Sequence, residues 1–494
     1  MSMQESGTVA DGPMRKNAQS GIAMVVVALA RFMVVLDGTI MIVALPSIDR
    51  SLHMSTANLN WVLNAYALTF GGLMLVAGRV GDALGRKNVF RFGLIVFGVA
   101  SLVGGLSTSG TALILARAMQ GIGAAVATPG ALSLLVSTFP EGEKRTKALG
   151  VYGAATGLAA LMGLLLGGLL TSYANWRWVL FVNIPVVVAI IIGLGVLKEG
   201  ERDRVKVDLP GAITSTLGIG SLIFAVNRVA DHGWGDTTVI AFLVAGAVLL
   251  AAFALIQIKS RVPMIPREVM NDPGRLAANI VTFLYYSGSV ATYFFLTLFY
   301  QQVLGYSALK TSLMYLPLVV GFGLAAGIAP KLKAIASEKL ALSAGLAVIA
   351  GGSVIFSFIT PHSSILAFVL PASLLTGIGL GVTAVISTGI GVRGIDDSEA
   401  GIGAALLTAS SQVGSALGLA VIATVATTAT RHAARMSSMK DALTSGYSAG
   451  FLTAAGLYAV CIIISLAVIK PMKQQSPSNS SKLDESSGLG ATTS

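Results

Sequence analysis

The stretch WVLNAYALTFGGLMLVAGRVGDALGRKNVFRFGLIVFGVASLVGG, from Trp61 to Gly105, decides the fold. It holds two apolar runs, at 57–78 and 88–106, separated by a short segment with Gly78, Asp82, Gly85, Arg86 and Lys87. Each run comes close to the roughly 20 apolar residues that a helix needs to cross a bilayer. The break is basic and glycine-bearing, which predicts a tight turn at a membrane face. Gly78 and Gly85 are expected to supply its backbone freedom, while Asp82, Arg86 and Lys87 present charge at that face.

The same alternation runs outward in both directions. Further apolar stretches fall at 20–45, 112–137, 148–171, 178–197, 209–228, 237–258, 276–302, 311–330, 340–359, 364–389, 401–428 and 448–469, making fourteen in all. Of the 494 residues, 54% are apolar and 11% charged, against roughly 25% charged in an ordinary soluble domain. So few charges cannot coat soluble domains of this total length. Soluble enzymes, disordered scaffolds and nucleic-acid binders are excluded, and the expected fold class is an all-α polytopic membrane protein.

Of the 33 Lys and Arg residues, 24 fall in the N-terminus, in every second loop and in the C-terminal tail. Seven fall in the other loops, and Arg31 and Arg117 lie inside spans. This asymmetry predicts that both termini are cytoplasmic, and it accounts for the net charge of +11 without nucleic acid. Arg15 and Lys16 precede an apolar run too long for a cleavable signal, so the first span is expected to remain. A basic, Gly-initiated loop recurs as GIAPKLKAIASEK from Gly327, which suggests a duplicated six-helix unit. The expected organisation is an N-terminal segment (1–19), six helices (20–197), two inserted helices with connectors (198–275), six helices (276–470) and a Ser-rich disordered tail (471–494). Residues 259–275, with three prolines, read as an interfacial connector.

Chemistry is narrowed by subtraction. Only one of 22 acidic side chains, Asp37, sits well inside a span, and all four His fall in loops. A carboxylate in hydrocarbon lines a polar cavity, a proton path or an ion site, or else forms a structural ion pair. Arg117 in the fourth span is its natural partner. Arg31 lies six residues before Asp37, about 120° around the helix, so it either reaches another partner or snorkels to the interface. Cys461 is the lone cysteine and reads as packing. No Walker loop, metal cluster or nucleophile–base pair is present in the sequence, so neither an enzyme nor ATP-driven transport is expected, and no cofactor.

At the 78–87 loop the chain resembles the major facilitator superfamily. GRVGDALGRK is similar to its loop motif, RAMQGIGAA from Arg117 to its fourth-helix motif, and LDGTIMIVALP from Leu36 to a first-helix drug-exporter motif. WRWVLFVNIP from Trp176 resembles the sixth-span signature of the fourteen-span drug:proton antiporters of the EmrB/QacA type. WVLNAYALTFGGLMLVAGRVGDALGRK and GYSALKTSLMYLP resemble the actinobacterial efflux protein A (EfpA) group. The resemblance implies a fold of two six-helix halves plus two inserted helices in the bacterial inner membrane. It implies proton coupling at Asp37, tuned by Arg117, and a cytoplasmic gate of Gly78, Asp82, Gly85, Arg86 and Lys87, where Asp82 caps a helix of the opposite half. Protons, an amphipathic small molecule and membrane lipids are the implied partners.

Three departures bear on that reading. Gly163 is followed by Leu164 where the family's antiporter motif has Gly-Pro, which removes a kink while Gly163 and Gly167 keep close packing. Ile42 replaces the usual Asn. Asn64 stands where quaternary-ammonium exporters carry an acid. With Asp37, Arg31 and Arg117 the intramembrane charge is positive, which favours bulky amphipathic cargo that is neutral or anionic, lipids included. Candidate cargo contacts are Arg31, Trp61, Asn64, Tyr66, Gln120, Tyr286, Tyr293, Phe294 and Gln412. The expected function is multidrug efflux by alternating access. A lipid exporter or flippase of the same fold, and a transport-inactive sensor or scaffold, are the alternatives.

Overall fold

The computed structural model describes residues 13–54, 56–139, 143–197, 208–260, 263, 272–391 and 400–469. The expected tail and most of the interfacial connector lie outside them. Each of the fourteen apolar stretches is helical: α1 (Pro13–Leu52), α2 (Thr56–Leu84), α3 (Arg86–Gly105), α4 (Gly110–Thr138), α5 (Glu143–Tyr173), α6 (Trp178–Val196) and α7 (Leu209–His232). The series continues with α8 (Thr237–Lys259), α9 (Pro273–Val303), α10 (Ala308–Met314 continued by Leu316–Ile335), α11 (Glu338–Ser357), α12 (Ile365–Gly391), α13 (Ala400–Ala433) and α14 (Met439–Val468). Among the described residues there is no strand, and twelve helices are long and apolar enough to cross a membrane. The remaining two, α2 and α5, have 29 and 31 residues.

Helix ends follow local chemistry. Ser109, Asp208, Asp236 and Asp272 each precede a helix, and their side chains accept the N–H of Ala112, Gly211, Val239 and Arg275. Each satisfies a donor that the first helical turn leaves orphaned. At the α7–α8 turn Asp236 also accepts from Arg228 Nε at 2.9 Å. That bond holds the Asp236 carboxyl at about 2. The stabilisation it gives is complete above the usual carboxylate range and is lost as pH falls through about 2.

Two sequence expectations are corrected. The first stretch was bounded at residue 45, yet α1 continues through Pro46 to Leu52. One missing N–H does not end a membrane helix whose neighbours re-satisfy the backbone. Gly78 was expected to share the turn between the second and third spans, but it lies inside α2. Gly85 alone makes that turn, at φ 97°, a left-handed conformation that a side chain would strain.

Helix pairings recur. In α1–α6, α1 packs on α5, α2 on α4, and α3 on α4 and α6. In α9–α14, α9 packs on α13, α10 on α12, and α11 on α12 and α14. The two groups meet along two seams, α2 with α13 and α5 with α10. α7 packs against both α2 and α13, and α8 packs on α7. Gln301 Nε2 donates to the Val43 carbonyl (3.0 Å), Ser312 Oγ to the Leu164 carbonyl (2.5 Å), and Leu309 N to Ser172 Oγ (3.0 Å). All three bonds lie toward the end of the bundle remote from the two termini. One apolar cluster there joins Ile40–Ile48 of α1 to Leu298–Tyr300 of α9. Nearer the termini, α1–α6 have a separate core built on Val27, Met33, Phe90, Phe97 and Leu134.

Gly163 and Gly167 of α5 face α1. A Cβ on Gly163 would meet Thr39 Oγ1 at 1.9 Å, whereas one on Gly167 would meet the Ile40 carbonyl at 2.7 Å. A hydroxyl can rotate away and a helix backbone cannot. Gly167→Ala is therefore expected to destabilise more than Gly163→Ala, within the 1–3 kcal/mol or so typical of overpacking. Thermal unfolding of the two variants in detergent gives the order, and the reverse order would contradict this packing.

Candidate functional site

The site is assembled from helical spacing. Asp37 lies three residues after Val34 on α1, Gln120 three after Arg117 on α4, and Tyr66 four after Val62 on α2, so each pair shares a helix face. Asp37, Arg117 and Gln120 are fully buried. Arg117 Nη1 donates to Asp37 Oδ2 at 2.5 Å and to Gln120 Oε1 at 2.8 Å. Asp37 Oδ1 accepts from Asn183 Nδ2 of α6 (2.8 Å) and from Gln120 Nε2 (3.2 Å). Gln120 Nε2 also donates to Ser101 Oγ of α3 at 2.8 Å.

Arg117 reaches α2 as well. Its Nε donates to the Val62 carbonyl at 3.1 Å, and its guanidinium stands 4.4 Å from the Tyr66 ring centroid. Tyr66 Oη in turn donates to the Val34 carbonyl of α1 at 3.1 Å. Five helices thus converge on one carboxylate. A buried ion pair is tolerated when its remaining lone pairs and protons are also bonded, and here every group facing the carboxylate is a donor. Some capacity is left over: Arg117 Nη2 and Asn183 Oδ1 are buried with no hydrogen-bond partner, as are Asn64 Nδ2 and Asn60 Oδ1 on α2. The cluster holds no nucleophile–base pair.

The other candidates are dispersed. Arg31 reaches a different partner rather than the interface: its Nε donates to Thr156 Oγ1 of α5 at 2.9 Å, and it stands 5.6 Å from the Tyr152 ring centroid. Tyr286 and Tyr293 on α9 are half-buried. Gln412 of α13 is half-buried and abuts Gly71 of α2 at the seam. Two aromatic candidates pack on other rings. Phe294 is 1% exposed and packs on Phe295, because its direction from α9 points into the core. Trp61 packs on Phe224 of α7, with centroids 6.4 Å apart.

At the α2–α3 turn, Lys87 Nζ donates to the Leu197 carbonyl beyond α6, at 3.2 Å, and Arg86 is half-buried. The side chain of Asp82 lies outside the described residues, as does the environment of Gly78. Among the described residues no group of three or more His, Cys, Asp or Glu could hold a metal, and Cys461 is buried.

Asn183 and Ser101 were not among the sequence candidates. Asn183 stands in WVLFVNIP, two residues before Pro185 in an otherwise apolar run. An amide placed there was a readable signal; a serine in α3 was not.

Removing one partner of a buried pair strands the other charge and costs about 3–5 kcal/mol. Asp37→Asn and Arg117→Leu are each expected to lower the Tm sharply, while the double variant recovers much of the loss. Simple additivity in detergent unfolding would show that the pair is not coupled.

Comparison with known proteins places these features in context. The Major Facilitator Superfamily profile matches residues 27–419. The puromycin resistance protein pur8 of Streptomyces alboniger is 36% identical over 458 residues, covering 90% of each chain. The cephamycin export protein CmcT of Amycolatopsis lactamdurans is 35% identical over 481 residues, covering 95% of this chain and 97% of its own. The uncharacterized MFS-type transporter EfpA of Mycobacterium tuberculosis is 34% identical over 341 residues, 68% of this chain and 63% of its own. A bacterial homolog of the lysosomal transporter Spinster, in an inward-facing and occupied conformation, shares the fold at 18% identity, with a TM-score of 0.59 over 93% of this chain and 97% of its own. With its profile match, its relatives and its helical architecture in agreement, the chain belongs to the major facilitator superfamily and is a membrane transporter rather than an enzyme.

Proposed function

We propose that the protein is a proton-coupled exporter of bulky amphipathic antibiotics and drugs, with fourteen spans in the bacterial inner membrane and both termini cytoplasmic. Two six-helix halves, α1–α6 and α9–α14, flank the inserted α7–α8 pair and rock about a central site. Relatives named for puromycin resistance and cephamycin export, matched over nearly their whole length, support antibiotic efflux. With cytoplasmic termini, the bonds of Gln301, Ser312 and Leu309 close the outer face.

The observation that carries proton coupling is the Asp37 cluster. Arg117, Gln120 and Asn183 all donate to one carboxylate. A proton arriving at Asp37 abolishes the charge that these donors face and leaves Arg117 buried without a counter-ion. The pairing between α1, α4 and α6 is then no longer favoured, and the half relaxes to another packing. Loss of the proton to the cytoplasm restores the ion pair. Protonation is thereby converted into helix rearrangement. The turn at Asp82, Gly85, Arg86 and Lys87 acts as the cytoplasmic gate, with Lys87 tying α3 to the end of α6.

The test is transport in proteoliposomes under an imposed pH gradient, with a fluorescent amphipathic dye and a labelled phospholipid. Wild type is expected to move the dye with the gradient, Asp37→Asn to lose that dependence, and Asp37→Glu to retain part of it. Full gradient-driven movement in Asp37→Asn would refute coupling at this residue. Gradient-independent phospholipid movement that survives the substitution would instead make the protein a lipid transporter.

A further inference from the structure

Arg31 is a second cation within a span, and the Asp37 cluster does not use it. Its Nε is engaged by Thr156 and its face by Tyr152, both neutral. No carboxylate pairs with it among the described residues. An intramembrane charge without a counter-ion faces a water-filled cavity or a ligand.

Its surroundings indicate which. On α1, Arg31, Val35 and Gly38 are half-buried at i, i+4 and i+7, and so form one face. A Cβ on Gly38 would meet nothing within 4 Å. On α9, Tyr286, Val290 and Tyr293 are half-buried at the same spacing. The two helices run parallel and are joined by the Gln301–Val43 hydrogen bond. At 1.5 Å per residue, Arg31 lies about 18 Å below that crossing and Tyr286 about 22 Å. The two therefore stand at nearly the same depth. One helix thus presents an uncompensated guanidinium and the other two half-buried tyrosine rings at about that depth.

We propose that Arg31 selects an anionic head on the cargo, its Nη groups binding a carboxylate or phosphate while Tyr286 and Tyr293 flank the apolar body. A planar guanidinium suits either oxyanion, so the head could belong to a free amphiphile or to a lipid. The inference rests on the export reading and names the chemistry of its substrate.

The probes are dansyl-undecanoic acid and its methyl ester, which differ only in the head group. In the purified full chain, the acid is expected to bind at least tenfold more tightly than the ester. Arg31→Gln should abolish that preference, bringing acid binding down to the level of the ester, and Arg31→Lys should keep part of it. Competition identifies the source of the head. Phosphatidylglycerol displacing the acid from wild type but not from Arg31→Gln assigns a lipid headgroup. No displacement, with gradient-driven export of the acid, assigns a free amphiphile. Equal binding of acid and ester by wild type, or a preference that survives Arg31→Gln, would overturn the proposal. Gradient-driven export of the ester is scored separately in wild-type proteoliposomes. Its absence removes the export reading, and the acid preference is judged by binding alone.

Discussion

A carboxyl group buried in the middle of a helical bundle has to be given hydrogen-bond partners in place of the water it gave up. Asp37 meets that condition with donors from three side chains: a guanidinium, a glutamine amide and an asparagine amide. Those donors come from two other helices, Arg117 and Gln120 from α4 and Asn183 from α6. The constraint therefore reaches well beyond one contact. It fixes the rotation of α1 against α4 through Arg117 and that of α6 through Asn183. Through Val62, Tyr66 and Ser101 it draws in α2 and α3. Most of the first six helices are set in register by one charge.

Elsewhere the packing is made by absence rather than by polar bonds. In a bilayer, lipid tails are as apolar as leucine, so helices associate by close approach and dispersion contacts. Gly163 and Gly167 let α5 lie on α1, and Gly168 lets it meet α10, where a Cβ would stand 2.4 Å from the Ala308 carbonyl. The α5–α10 seam therefore combines a glycine surface with two directional bonds, from Ser312 Oγ to the Leu164 carbonyl and from Leu309 N to Ser172 Oγ. Such a seam is tight in one arrangement and holds little that would have to be unpaired at great cost to leave it.

How much of this was legible in the sequence depended on how few explanations each residue type allowed. Asp37 and Arg117 were readable because a charge in an apolar run must find a partner, and one acid faced few cations. The helix pattern was readable because each apolar run matches a membrane thickness. Arg31 was half-readable: its spacing excluded Asp37, but the Thr156 hydroxyl that receives it lies 125 residues away. Trp61 and Phe294 were not readable, since an aromatic ring serves core, interface and ligand equally well until its direction is known. Gly78 was misread where Gly85 was not: both look like turn formers, but of the two only Gly85 adopts a positive φ, and no local feature of GRVGDALGRK separates them.

The inserted pair breaks the likeness between the two seams. α5 meets α10 directly, whereas the α2–α13 seam is flanked by α7. Thr424 of α13 donates to the Val226 carbonyl of α7 at 2.9 Å. On the other side, a Cβ at Gly72 of α2 would strike Thr216 of α7 at 2.9 Å. Ala67, Ile223, Val226, Ala416 and Ala420 form one small apolar cluster across all three helices, and Trp61 closes it against Phe224. The aromatic side chain that looked like a cargo contact is thus part of the joint that holds the insertion. Because α7 touches both groups of helices while α8 rests on α7, any relative motion of the groups must slide along α7 or carry it. The opposite seam has no such constraint. Two groups with nearly the same internal pairings are therefore joined by unequal seams, and the inequality is written into residues 209–232 rather than into either repeated unit.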